Sequence, residues 1–205
     1  WIGADIRSDP WAYIAPGLPS KAAEYAYRDA YLSHRRNGIY GEMFFSAAQA
    51  AAFEVDHPVD ALRIGLTEIP RGCNLYKDIE WALSIGKDIR NYAEAREAVN
   101  NRFKGMHSVH TNNNACLTVF GLMIGGTDVS KVISETVAMG LDNDCTAATA
   151  GSIVGAIVGK EGVPAHWYAP FHDTVKTYMI GKETFKISDL VERFAAVAEQ
   201  TFNDA

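Results

Sequence analysis

The sequence predicts an all-α protein, an orthogonal multi-helix bundle of about eight to ten helices. Three observations carry that prediction. Apolar residues recur with a helical period in one segment after another. Proline, glycine and Asn-Gly signals punctuate those segments at helical lengths. No stretch alternates apolar and polar residues as a half-buried strand does, and there is no internal repeat or interdomain linker.

In chain order, residues 1–19 (WIGADIRSDPWAYIAPGLP) hold three prolines and two glycines and no helical period, so an irregular segment is expected. Residues 20–36 read as a helix through Ala22, Ala23, Ala26, Tyr27, Ala30 and Tyr31. Asn37-Gly38 breaks it, and a second helix of small residues runs from about Ile39 to Val55. A short helix starts at Pro58 and ends at Pro70. A longer one opens at Asn74 or Leu75, and an amphipathic stretch covers Tyr92 to Val99. HSVHTNNN reads as turns before the apolar run ACLTVFGLMIG, which is too short to span a membrane. Gly125-Gly126-Thr127-Asp128 turns the chain into a helix from Val129 to Ala138. Ser188-Asp189 caps a last amphipathic helix with Leu190, Phe194, Val197 and Phe202 facing inward.

The chain has 205 residues, 48% hydrophobic and 21% charged, which suits one domain over 1–205. A net charge of −6 with no long basic run argues against nucleic acid as a partner. There is no membrane span or signal peptide pattern. Cys73, Cys116 and Cys145 form no C-x-x-C pair, so a reduced, cytoplasmic setting is the simplest expectation. The chain begins at Trp1 inside what reads as a loop, which predicts a piece of a longer protein.

The stretch most informative about chemistry is Gly140–Gly159, GLDNDCTAATAGSIVGAIVG. Asp144 reads as close to the N-cap of a helix whose body is Thr146 to Val158. Gly151, Gly155 and Gly159 lie four apart, and glycine costs roughly 1 kcal/mol against alanine inside a helix. That spacing predicts a close backbone approach on this face. Asp142 and Asp144, paired across one residue at the helix mouth, suit a hard cation such as Mg2+ or Mn2+, which prefers oxygen ligands. An N-cap and a turn residue would look the same in sequence. His107 and His110 have i, i+3 spacing, but no Cys/His set completes a zinc site.

G-x-D-x-D-[TSC] ahead of a small-residue helix, followed by Val163-Pro164 and Trp167, resembles the C-terminal signature of the ADP-ribosylglycohydrolase family. The resemblance implies an all-α fold of that type with its N-terminal part absent, and a binuclear Mg2+ or Mn2+ centre. It implies that Asp142 and Asp144 are catalytic metal ligands, with Cys145 at a ligand position that is usually Thr or Ser. Gly3 to Pro10 resembles the second half of a family loop, G-N-G-x-x-M-R-x-x-P, that wraps a diphosphate. Gly3, Ala4, Asp5 and Arg7 would then be substrate-binding, although Trp1-Ile2 stands where Gly-Asn is usual. Arg7 is equally readable as a structural ion-pair partner. Ser33-His34 before Asn37-Gly38 resembles the family's [ST]-H segment and would place His34, Gly38, Tyr40 and Gly41 near the substrate. His34 is also readable as a helix C-cap.

The implied activity is metal-dependent hydrolysis of the glycosidic bond between ADP-ribose and an acceptor, either a protein side chain or a small molecule. The sequence contains no Thr-Asp-Asp, the motif that supplies the family's other ligands. The resemblance therefore implies a centre completed by residues outside this chain, with the preceding segment as a partner. Within the chain, Asp5, Asp9 and Glu42 are the first acidic residues to consider as further carboxylates. The alternatives are a non-catalytic structural or ADP-ribose-binding relative, and a hydrolase of another nucleoside diphosphate sugar on the same scaffold.

Overall fold

The computed structural model describes residues 1–204. The chain opens with a 3-10 turn, Ile2–Arg7, and a short helix α1, Asp9–Tyr13. The expected irregular segment is therefore locally ordered. Proline is tolerated in a first helical turn because its missing N–H would have no partner there, and Pro10 occupies such a position. Then follow α2 (Pro19–Ser33), α3 (Asn37–Ala51), α4 (Pro58–Thr67) and α5 (Asn74–Ile85). They are succeeded by α6 (Tyr92–Arg102), α7 (Thr111–Gly125), α8 (Val129–Ala138) and α9 (Asn143–Gly162). A two-stranded antiparallel hairpin, β1 (Thr174–Lys176) with β2 (Thr184–Lys186), precedes α10 (Ile187–Asn203). The hairpin corrects the expectation of no strands; three residues per strand are too few for alternation to show. The fold is all-α in its bulk, and no described helix is long and apolar enough to cross a membrane.

Local chemistry sets the helix starts. Asn91 Oδ1 accepts from the Ala93 and Glu94 N–H groups at 3.0 and 3.1 Å, and the Asp128 carboxylate accepts from Lys131 N–H at 3.0 Å. His57 Nδ1 caps α4 ahead of Pro58. At α7 the polar run was read as turns, but Thr111 to Asn114 already form its first turn, with His110 Nδ1 accepting from Asn112 N–H at 3.1 Å.

Helix α7 organises the core. It is buried from Thr111 through Leu122 and packs against α3, α4, α5, α6, α8 and α9. Leu117 and Phe120 meet Phe44, Phe45, Leu62, Leu75, Ile79 and Ile153 in one continuous cluster. Trp81 stands edge-on to Phe120 at 5.7 Å and carries the Arg102 guanidinium 4.4 Å above its ring. Trp167, read as part of a signature, packs on this cluster, and its Nε1 donates to Ser130 Oγ at 2.8 Å, which ties the chain after α9 to α8. Beyond that point contact is sparse. Phe194 stacks edge-on against Tyr13 at 5.8 Å, but Val197 and Phe202, expected to face inward, are exposed.

The glycine face of α9 differs from the expectation. Gly155 has nothing within 4 Å of an added Cβ, and Gly151 has only Ile133 at 3.5 Å. Gly159 takes φ +65° and breaks the helix there, so it serves a bend and not a packing seam. The close approaches lie elsewhere: a Cβ on Gly65 of α4 would come within 2.7 Å of the Phe44 carbonyl of α3. Gly65→Ala is expected to destabilise the fold by about 1–3 kcal/mol through overpacking. Gly155→Ala should be neutral or stabilising by up to about 1 kcal/mol, from helix propensity alone. Thermal melts of both variants check the contrast, at about 2–4 °C per kcal/mol for a chain of this size.

Candidate functional site

The site is built where α8 gives way to α9. Gly140 and Leu141 take φ +69° and +62° in succession, so a leucine sits in the left-handed region that side chains disfavour. Buried hydrogen bonds hold this turn. Asn114, fully buried at the start of α7, accepts from Asp142 N–H at 3.1 Å through Oδ1. Its Nδ2 donates to the carbonyls of Ser108 (2.7 Å) and His110 (2.8 Å). Asn143 Nδ2 donates to Val137 O at 3.0 Å. The turn places Asp142, not Asp144, at the N-cap of α9, and the Asp142 carboxylate caps no N–H. Both carboxylates are left free of helix capping.

As a result, one donor atom each of Asp142, Asp144 and Cys145 lie within 4.8 Å of one another. Burial, followed by the neighbouring Asp144 carboxylate, raises the Asp142 carboxyl above its ordinary range. Burial and then the Asp142 and Asp144 charges push the Cys145 thiol up to about 12. This donor set decides what fits. Two carboxylates crowded at a helix N-terminus suit a hard divalent cation. A neutral, soft thiol does not, so Asp142 and Asp144 fit as ligands and Cys145 fits as their buried neighbour.

The N-terminal 3-10 turn packs on both α3 and α9. Ala4 and Asp5 are buried within it and Gly3 is exposed. His34 is the C-cap of α2, as the sequence allowed, and its Nδ1 lies 2.8 Å from Ser33 Oγ. Burial, then the chain's N-terminal charge and Arg7, lower its pKa and favour a neutral imidazole. Its ring stands 3.8 Å from where a Gly3 Cβ would sit and 3.0 Å from a Gly38 Cβ, so Gly3, His34 and Gly38 are gathered at one place. Gly41 is buried against the turn: a Cβ there would come within 2.2 Å of Asp5 Oδ1 and 2.8 Å of Thr111 Cγ2. Tyr40 is half-buried and packs on the main core. Arg7 braces the turn, pairing with the Asp29 carboxylate and donating to Ser33 Oγ at 2.7 Å.

Sequence reading did not assign Glu42 a place in this network. It is fully buried in α3, makes no hydrogen bond, and lies 3.8 Å from Arg7 Nε. Arg7 is one cation serving two carboxylates, Asp29 and Glu42. Burial first, and then the Asp29 carboxylate, push the Glu42 carboxyl up to about 9, so it keeps its proton at neutral pH. An acidic residue inside the apolar helix segment GEMFF was the only available signal. Asp9 is likewise pushed by burial, to about 6, while accepting from Gln49 Nε2.

Two predictions follow from this packing. The folded-state value of Glu42 lies above its unfolded one, so its stabilising effect is full below pH about 4.5 and is lost as pH rises through about 9. Glu42→Gln should flatten that alkaline fall, and its melting temperature should exceed the parent's at pH 8 to 9. Gly41→Ala should destabilise by about 1–3 kcal/mol through overpacking. Because the clash is chiefly with Asp5, the added cost should shrink in an Asp5→Ala background, which a double-mutant cycle of melts measures.

The ADP-ribosylglycohydrolase family profile matches residues 3–203, nearly the whole chain and both segments of the site. No curated protein and no solved structure matches the chain. With the profile running from the Gly3 turn through the Asp142 mouth to the end of α10, the chain belongs to the ADP-ribosylglycohydrolase family.

Proposed function

We propose that the chain acts as a hydrolase that cleaves the glycosidic bond between ADP-ribose and an acceptor, a protein side chain or a small molecule. In this reading Asp142 and Asp144 hold Mg2+ or Mn2+ as part of a two-metal site. The observation that carries it is the convergence of two carboxylates, uncapped and unpaired, at the mouth of a buried helix in a chain of this family. When bound, the cation would orient the ribose hydroxyls and the attacking water and offset charge in an oxocarbenium-like transition state.

The chain's own residues have separable tasks. Asp142 and Asp144 present ionised oxygens at the positive end of the α9 dipole, which favours their charged form. The Gly3–Ala4 backbone offers N–H groups to a diphosphate with no side chain in the way at Gly3. The neutral His34 imidazole, held by Ser33, can accept from or donate to a ribose hydroxyl. Gly38 and Gly41 keep the floor of this region open, and Tyr40 anchors it to the core. Arg7, committed to Asp29 and Ser33, keeps the turn in place. Three free cysteines agree with a reducing, cytoplasmic setting.

The test is turnover of ADP-ribosylated peptide by the purified protein with Mn2+, alongside Mn2+ titration calorimetry. Asp142→Asn and Asp144→Asn should each weaken Mn2+ binding by at least about tenfold, equivalent to about 1.4 kcal/mol. Each should also abolish turnover, and chelation with EDTA should reproduce the loss in the parent. Unchanged Mn2+ affinity in both variants would remove the metal assignment. Mn2+ and ADP-ribose binding without turnover would assign the protein to non-catalytic relatives.

A further inference from the structure

The Asp5 side chain is 1% exposed, and neither of its oxygens has a hydrogen-bond partner. A buried carboxylate without a partner is costly in either protonation state. Ionised, it has no donor to satisfy it. Protonated, its O–H finds no acceptor. Glu42 differs, because Arg7 and Asp29 lie close enough to share charge and proton with it. The protein therefore supplies no group that completes Asp5.

Position says what would complete it. The 3-10 turn that carries Asp5 packs on α9, and the Asp5 charge acts on the Cys145 thiol together with those of Asp142 and Asp144. Three carboxylates thus surround one thiol. None of the ion pairs among the described residues includes Asp5, Asp142 or Asp144. Arg7, the basic residue nearest in sequence, is committed to Asp29. Gly41 keeps the space beside Asp5 Oδ1 clear, where a Cβ would lie 2.2 Å away.

We propose that Asp5 is a further carboxylate of the cation site, reaching the Asp142–Asp144 mouth from the N-terminal turn and helping to hold a divalent, oxygen-preferring ion. The proposal rests on the metal reading of Asp142 and Asp144. It assigns Asp5 to the ion, not to a diphosphate, whose negative charge a buried carboxylate would repel. The turn and the helix mouth then close on one ion from two sides, and three carboxylates with no protein counter-ion match the charge preference of such a site.

The experiment compares Mn2+ titration calorimetry of the parent, Asp5→Asn and Asp142→Asn, with melts of each protein with and without Mn2+. Asp5→Asn is expected to weaken Mn2+ binding about tenfold or more. It should also raise the melting temperature of the metal-free protein, by removing an unpaired charge, and shrink the rise that Mn2+ produces. Parent-like Mn2+ affinity in Asp5→Asn, with loss in Asp142→Asn, overturns the proposal and leaves the metal reading standing. Parent-like affinity in both variants overturns the two together. If Asp5→Asn instead binds Mn2+ normally and loses ADP-ribose binding, Asp5 belongs to the substrate and the proposal fails. Should Asp5→Asn not fold, paramagnetic broadening by Mn2+ in the parent decides: a broadened Asp5 amide signal supports the assignment, and an unbroadened one overturns it.

Discussion

The Asn114 side chain is the constraint on which the site depends. Its amide joins three strands of argument in one buried group: it receives the Asp142 N–H, and it gives hydrogens to the Ser108 and His110 carbonyls. The start of α7 and the start of α9 are thereby locked in register. Without that lock, the left-handed Leu141 would have little reason to persist, since its conformation is disfavoured for a side-chain-bearing residue. The two aspartates point away from the helix they precede because the turn is held from outside, by a residue 28 positions earlier.

A second theme is the concentration of acidic groups with few cations. Arg7 answers Asp29 and leaves Glu42 to keep a proton. At the α9 mouth no basic side chain pairs with Asp142 or Asp144. Burial and like charge both raise Asp142, which is costly for stability and is the kind of arrangement that functional sites retain. Cys145 follows the same logic. Next to two carboxylates, a thiol stays protonated and behaves as packing, where a hydroxyl would remain an oxygen donor.

Much of this was legible from residues alone, for physical reasons that can be named. Helices α2 to α9 announce themselves because apolar period, Asn-Gly and Pro signals, and cap residues such as Asn91 and Asp128 agree with one another. The Asp142–Asp144 pair was readable because both carboxylates precede a small-residue helix at once. What was not readable depended on tertiary contact. Which of the two aspartates takes the N-cap is decided by Asn114, far away in sequence. The Gly151–Gly155–Gly159 spacing suggested close packing, yet whether a glycine is crowded depends on what lies opposite, and opposite Gly155 there is nothing. The Ile2–Arg7 turn has no period to detect, because it is held by docking, with Ile2 N–H donating to Val109 O at 3.0 Å and Thr111 Oγ1 to Trp1 O at 2.7 Å. The burial of Asp5 and Glu42 was likewise invisible, since a carboxylate in a sequence is normally a surface residue.

The full enclosure of α7 has a consequence for how the molecule opens. A helix covered on every side by six others can release its amide hydrogens to solvent only when the whole core comes apart, so its exchange should report the global unfolding free energy. Helix α10, attached through few contacts, can detach at much lower cost. The protein thus carries a gradient of local stability along its sequence, steepest just after the bend at Gly159. The Asp142 mouth lies on the rigid side of that bend, where its carboxylates stay in place while the C-terminal segment fluctuates.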